Sequence, residues 1–475
     1  MKKILTIYFY AFFRQPFCGL ATTVIIIGLL FSCSPRLSPA DAPIPQPEAF
    51  SFSGTAALSD KWWENFEDPV LDSLIEQGLE QNLELAGNWE QFQAALAVVD
   101  RESSFFWPQV DATAGTAVTR PRDEFSRNED LQVGLSASYE LDLWGRIRAA
   151  VQAEEFRAQA TLFDYQAAAM SISAEISITW YRLLSARKQL ELADEQIRTN
   201  EDIMRLIRAR FTGGQIRAVD ILRQEQLLEG TRDERIFYET RIAVLKNQLA
   251  VLLGRPPQNV DVLTTAALPE LPPLPASGLP LELVRRRPDL RQSYNLVLAA
   301  DREMAQAIRS KYPRISLNAV GQAQGGNFND LFQDWAYTLA GNLVAPLFYG
   351  GRLNAEVNRT EALKNSTLYQ YGQDVLIAFE EVENALIREQ KQNERIQLLE
   401  RRLDLSAKTN RQLRNEFLNG MTEYLEVLLS LDQEQQLQRE MIQAQQERLE
   451  YRIALYRALA GGFETEPMEN INTGS

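Results

Sequence analysis

The second half of this chain repeats the first at a spacing of about 206 residues. Gly145-Arg146 recurs as Gly351-Arg352, Phe211 as Phe417, Gly214 as Gly420, and Ile221-Leu222 as Val427-Leu428. Pro108 recurs as Pro313, and Gly254 as Ala460 or Gly461. A period this long is a duplicated domain, not a short solenoid repeat. Each copy runs helix, strand, loop, strand, very long helix, tight turn, helix. Strands of membrane-barrel type joined to helices longer than any globular core can bury imply a conduit that crosses one membrane and continues into water.

The strand reading rests on alternation. Leu131, Val133, Leu135, Ala137, Tyr139, Leu141 and Leu143 share one face, and Gln132, Gly134, Ser136, Ser138, Glu140 and Asp142 the other. Such a period of two is a strong strand signal. Its length suits a tilted transmembrane β-strand. Strands are predicted over 109–118 and 131–143, and over 314–324 and 336–347 in the second copy. The charged segment 119–130 between the first two belongs in water. Aromatics mark the strand–helix junctions: Phe105, Phe106 and Trp107; Trp144; Tyr312; Phe348 and Tyr349. With both hairpins pointing one way, these form a girdle at one membrane interface.

The helices are read from composition and from what interrupts them. Segments 146–210 and 352–416 contain no proline and are rich in Ala, Gln and Glu. Each would span about 98 Å. Gly213-Gly214 and Asn419-Gly420 stop them, and return helices follow over 220–253 and 423–459. A single helix from Pro69, capped by Asp68, is predicted to run toward Trp107 and stop before Pro108. Stacked end to end, two shorter helices match one long one, as a wall of uniform height requires. Residues 62–255 form the first repeat and 281–463 the second, with a Pro-rich connection over 256–280 placed near mid-height. A tail covers 464–475.

The N-terminus reads as a targeting segment. Lys2, Lys3 and Arg14 precede an apolar run from Leu20 to Phe31, too short for a confident transmembrane helix and the right length for a signal peptide. Leu30-Phe31-Ser32-Cys33 resembles a bacterial lipobox, which makes 1–32 a lipoprotein signal peptide, Cys33 the lipidated residue, and 33–61 an extended tether. Cys18 would be removed with the signal, leaving no disulfide. Loss of three cations would take the formal charge from −15 to −18. An acidic chain without a basic patch is a poor nucleic-acid binder. The chain has no histidine, and thus lacks the commonest metal ligand and general base.

Other constellations have plain structural readings. Arg285-Arg286-Arg287-Pro288-Asp289 reads as a helix start with ion pairs rather than a phosphate clamp. Glu380 and Glu383 lie on a solvated or salt-bridged helix face. Gly213-Gly214 lacks the Lys-Ser/Thr of a phosphate loop. No nucleophile–base set points to an enzyme, and no metal or cofactor is expected.

Together these features resemble the outer membrane factor family, the TolC-like channels, and its lipoprotein branch serving drug efflux. The resemblance covers about 62–463. It is carried by Trp62-Trp63-Glu64-Asn65-Phe66-Glu67-Asp68-Pro69-Val70-Leu71, Tyr139-Glu140-Leu141-Asp142-Leu143-Trp144-Gly145-Arg146 and Arg286-Arg287-Pro288-Asp289-Leu290. Pro346 to Leu353, Ala378 to Leu386 and Leu455 to Gly462 add to it. It implies a mixed α/β membrane protein, a homotrimer in which each chain gives four strands to a twelve-stranded outer-membrane β-barrel and helices to a twelve-helix periplasmic α-barrel. The function implied is a passive exit duct fed by an inner-membrane pump, of the RND type, through a periplasmic adaptor. A type I protein-secretion channel and a pore-less structural coiled-coil lipoprotein are the alternatives. The resemblance places adaptor docking at Arg210, Phe211, Gly213, Gly214, Phe417, Gly420 and Met421, and the periplasmic gate at Thr409, Leu413 and Glu416. Glu416 stands where the family usually has Arg.

Overall fold

The computed structural model describes residues 44, 48–57, 59, 61–119, 128–257, 268–278 and 280–459. The lipobox with Cys33, most of the 119–130 loop, part of the Pro-rich connection and the C-terminal tail lie outside them. In chain order the elements are α1 (Pro69–Gln81), α2 (Leu83–Ser103), β1 (Gln109–Thr119), β2 (Asn128–Leu141), α3 (Arg146–Thr212) and α4 (Ala218–Leu252). The second half follows with α5 (Pro280–Arg286), α6 (Pro288–Arg309), β3 (Arg314–Gly325), β4 (Asp334–Val344), α7 (Arg352–Leu418) and α8 (Tyr424–Leu459).

The four strands form one antiparallel meander in the order β1-β2-β3-β4. Residues paired across strands point to the same face. Ala112 pairs with Leu135, Leu135 with Gly321, and Gly321 with Tyr337. One step along, Thr113, Gly134, Gln322 and Ala336 align. The four alternations are therefore in phase. One face carries Val110, Leu135, Tyr139, Leu317, Leu339 and Leu343, and the other carries Asp111, Gln132, Ser138, Asn318 and Asn342. Gln132 and Gln322 hydrogen-bond across that polar face at 3.0 Å.

Two strands end sooner than alternation alone suggests. β2 stops at Leu141 because Asp142 leaves the ladder to cap α3, its carboxylate accepting from the backbone N–H of Ile147 (3.0 Å) and Arg148 (2.8 Å). β4 stops at Val344, two residues before Pro346, whose nitrogen has no hydrogen to donate to a ladder. The junction below the sheet is tied by Trp144, which stacks on Tyr312 at 5.2 Å and donates to the Pro313 carbonyl at 2.7 Å.

α3 and α7 are 67 residues each, or about 100 Å. α3 packs along α2, α4, α6 and α8, and α7 along α6 and α8. The helix expected to run unbroken from Pro69 toward Trp107 is instead two, broken at Asn82. Its side-chain oxygen accepts from Leu85 N–H (3.0 Å) and caps α2, while its amide donates to the Leu252 carbonyl at 2.9 Å, at the end of α4. One buried amide thus joins the end of α4 to the start of α2, and these two short helices together flank α3. Gly254 makes the approach possible: its φ is +68°, and a Cβ there would lie 2.0 Å from the Gln81 carbonyl oxygen. The second copy is also broken, at Arg287-Pro288.

The main apolar core sits at this level. Trp62, Trp63 and Phe66, in a short 3-10 turn, pack with Leu71, Ile75, Trp180, Tyr181 and Tyr456. Trp62 stacks on Tyr456 at 5.6 Å, and Trp180 donates to Asp68 at 2.8 Å. The segment expected to be an extended tether over 33–61 is docked, in its described residues, from Phe50 onward. Phe50 packs edge-on against Phe379, and Ser51 N–H donates to Glu383 at 2.9 Å. Ala56 pairs in parallel with Pro275 of the Pro-rich connection. That connection is held to the helices by Arg452, only 2 % exposed. Its guanidinium is paired with Glu389 at 2.6 and 2.8 Å and donates to the carbonyls of Pro272 and Pro273. Arg287, also buried, bridges Asp289 and Glu381. Burial works against its charge, yet the two carboxylates hold its pKa above the ordinary value.

Two predictions follow from this level of the molecule. Gly254→Ala forces an alanine into left-handed backbone, costing about 1–2 kcal/mol before the clash with Gln81 is counted. Gly87→Ala, in open space on α2, stabilises by about 0.5–1 kcal/mol. Thermal unfolding in detergent should therefore move in opposite directions for the two. Arg452→Met strands a buried carboxylate and costs about 3–5 kcal/mol, whereas adding Glu389→Leu restores most of the loss. Equal melting points for the single and double variants would refute the clamp.

Candidate functional site at the helical tip

Both long helices end in the same turn. Gly214 (φ +72°) follows α3 and Gly420 (φ +76°) follows α7. Gln215 N–H donates to the Arg210 carbonyl at 3.0 Å, and Met421 N–H to the Glu416 carbonyl at 2.8 Å. These are Schellman closures, which need a residue in the left-handed region just past the helix and so favour glycine. The duplicated sequence thus builds two hairpin tips closed by the same turn, α3–α4 and α7–α8.

The side chains of the two tips differ in role. Arg210 reaches across to the other hairpin. It donates to the carbonyls of Phe417 (3.3 Å) and Leu418 (3.1 Å) and lies 4.9 Å over the Phe417 ring. These carbonyls belong to the last turn of α7, the negative end of its dipole. The corresponding Glu416 cannot return the favour. Its carboxylate accepts from Gln412 on its own helix at 2.8 Å, at the end where an anion opposes the dipole. The departure at Glu416 therefore makes the tip asymmetric, with Arg210 supplying the cation that α7 lacks. A second link runs from Arg217, which pairs with Asp220 at 3.3 Å and with Glu423 of the other hairpin at 3.0 Å. The carboxylate of Asp220 raises the Arg217 pKa.

Phe417 is buried in a small tip core with Ile203, Met204, Ile207, Tyr424, Val427, Leu428 and Leu431. Phe211, Gly213, Gly214, Gly420 and Met421 are exposed. Of the residues assigned to docking by resemblance, Arg210 and Phe417 thus hold the hairpins together, and the others present a surface. Thr409 is exposed, Glu416 is half-buried, and Leu413 packs against the tip core. These three follow one another by about a turn along α7.

Above the tip lies a polar ladder that composition did not reveal. Asn200 donates to Thr231 (3.0 Å), exchanges hydrogen bonds with Gln435 (3.3 and 3.2 Å), and accepts at its carbonyl from Gln224 (3.1 Å). Tyr424 donates its hydroxyl to Gln224. Burial, with Asp220 nearby, raises the pKa of this phenol, so it stays protonated and able to donate. Gln196 donates to the Gln435 carbonyl at 3.1 Å, and Gln189 to that of Arg439 at 2.8 Å. On α7 the inward positions Gln392, Ile396, Leu399, Leu403, Ser406, Asn410, Leu413 and Phe417 recur at alternating steps of four and three, the heptad spacing of a coiled coil. Gln189 and Gln196, seven apart and followed by Asn200, carry the same signal on α3. It was legible in the sequence to anyone counting sevens through glutamines rather than through leucines.

No helix among the described residues is long and apolar enough to cross a membrane. No group of metal-ligating side chains occurs among them. A family model described as outer membrane efflux protein matches residues 74–255 and 279–461, one match for each half of the duplication. The pyoverdine export outer membrane protein OpmQ of Pseudomonas aeruginosa is 27 % identical, over 92 % of this chain and 96 % of its own. The toluene efflux pump outer membrane protein TtgI of Pseudomonas putida is 26 % identical, over 90 % and 93 %. The outer-membrane channel OprN has the same fold, with a TM-score of 0.83, 25 % identity, and coverage of 90 % of this chain and 99 % of that one. With both halves matched and relatives aligned along almost their whole length, this chain belongs to the outer membrane efflux protein family, the TolC-like outer membrane factors, which are channels and not enzymes.

Proposed function

We propose that this protein is the outer-membrane exit duct of a tripartite efflux system, conducting small molecules passively from an inner-membrane pump, of the RND type, to the outside. The observation that carries the reading is the sheet: four in-phase strands with one apolar and one polar face, continuous with helices of 67 residues. Strands of 11–14 residues suit a tilted crossing of the hydrocarbon layer. The polar face would line water. Three copies would supply twelve strands and twelve helical segments around one lumen. The exposed apolar stripe on α4, with Leu222, Ile236, Phe237, Val244 and Val251, is a face that a neighbouring copy would cover.

The names of the relatives mention pyoverdine and toluene, which favours small molecules as a class without choosing one. In the duct, Phe211, Gly213, Gly214, Gly420 and Met421 form the surface offered to the periplasmic adaptor, shaped from behind by Arg210 and Phe417. Thr409, Leu413 and Glu416 lie where α7 would close the tunnel, and adaptor binding opens it by favouring splayed tips. Cys33 carries the lipid anchor.

The test is conductance of the purified protein in planar bilayers. Small, reproducible steps are expected of the wild type. Arg210→Ala removes the cation and two hydrogen bonds from the end of α7, and should enlarge the steps. Glu423→Gln breaks only the exposed pair between Arg217 and Glu423 and should change them little, because screened surface pairs contribute little. Silence from wild type and Arg210→Ala alike, in protein shown to be inserted, would overturn the duct. Equal effects of the two substitutions would overturn the assignment of the strut to Arg210.

A further inference from the structure

α8 packs on both α3 and α7, and between those two long helices it floors a cleft of about 410 Å³. Gln196 of α3 fixes the level, donating to the Gln435 carbonyl at 3.1 Å and to Gln438 Oε1 at 2.9 Å. From the other side Asn410 of α7 donates its amide to Glu434 of α8. Two needs are left unmet. Oδ1 of Asn410 has no hydrogen-bond partner among the described residues, although this side chain is only 5 % exposed. Arg411 and Arg414, which also line the cleft, form no ion pair with any described residue, and neither does Glu195 on the α3 wall. Other cations of α7 are paired: Lys408 with Asp404 at 2.7 Å, and Arg395 with Glu447 at 2.9 Å.

The charges are sorted by wall. The carboxylates come from α3 and α8, as Glu195 and Glu434, and the guanidinium groups come from α7. Arg414 lies one turn nearer the tip than Asn410, about 6 Å along the helix axis. A buried carbonyl without a donor is costly, so the Asn410 oxygen, flanked by two carboxylate-bearing walls, calls for a cationic N–H group. The planar forks of Arg411 and Arg414 call for a carboxylate or another oxyanion.

A simple cation would meet two unpaired guanidinium groups, and a simple anion two carboxylates. No group of metal-ligating side chains occurs among the described residues. A solute that carries both charges a few bonds apart satisfies both walls at once, while the walls themselves select against either simple ion.

We propose that this cleft binds a small zwitterion, its ammonium or guanidinium end on Asn410 Oδ1, Glu434 and Glu195 and its anionic end on Arg411 and Arg414. The site lies within one chain, so it stands apart from the duct proposed above.

The experiment is equilibrium dialysis of radiolabelled L-arginine and of agmatine against the full-length protein in detergent. Agmatine is L-arginine without its carboxylate. L-Arginine should bind saturably and at least roughly tenfold more tightly than agmatine, because only it can engage the α7 arginines. This comparison is made on the wild type and needs no variant to fold. Arg414→Gln, at an exposed position, should remove most of that advantage and leave agmatine no weaker. Glu434→Gln keeps an oxygen that can accept from Asn410 and should weaken both probes. No saturable binding of L-arginine up to about 10 mM, as for a cleft filled only by water, overturns the site. Equal affinity for the two probes overturns its anionic end. Binding of L-arginine that survives both substitutions unchanged lies elsewhere and overturns the assignment.

Discussion

The structure turns on the hydrogen-bonding demand of the peptide backbone in a medium without water. Strands can satisfy it in hydrocarbon only when closed on themselves. This chain supplies four and leaves two edges open. Much else in the molecule is arranged around that incompleteness. The alternations of the four strands are held in phase by their pairing, so both faces are chemically uniform. The strand ends are set by Asp142 and Pro346, one turned to cap a helix and the other unable to donate. Large exposed apolar side chains stand where the outer strands meet the rest of the chain, Trp107 before β1 and Leu347 and Phe348 after β4.

Below the sheet the problem changes from closure to length. A helix of about 100 Å cannot rest on a globular core. Here α3 and α7 are supported along their length by shorter helices, laid end to end in the first half around Asn82 and its contact with α4. Toward the tip, the contacts are part apolar and part polar. The ladder of Gln189, Gln196, Asn200, Gln224 and Gln435 specifies which helices meet and at what height, since an amide displaced by one turn loses its partner. Leucines alone would tolerate such slippage. Arg210 extends the same logic to the tip, where a charged donor couples the two hairpins through backbone carbonyls.

The mid-height region shows how charge is used where it is buried. Arg452 is surrounded by Glu389 and two proline carbonyls, so its donors have partners. Prolines suit this role because they lack an N–H that would itself need satisfying, while their carbonyls remain free to accept. The Pro-rich connection is thus fastened to the helices, and the docked stretch from Phe50 is paired to it in turn.

Much of this was legible in the sequence because it is periodic. Alternation by two identified the strands, the absence of proline and the Gly stops delimited the long helices, and a period near 206 announced two equivalent halves. Each of these is a local property repeated many times, so single exceptions do not hide it. What only the tertiary structure decided depends on one residue meeting another far along the chain. Asn82 breaks a helix because the end of α4 lies beside it, 170 residues away in sequence. Phe50 to Ala56 dock because Phe379, Glu383 and Pro275 are there to receive them. Arg210 reaches across to the carbonyls of Phe417 and Leu418 because α7 ends next to it. Periodicity specifies how a segment folds and which face it presents; it carries no information about which distant atom completes a hydrogen bond, and at those points three-dimensional packing settled the outcome.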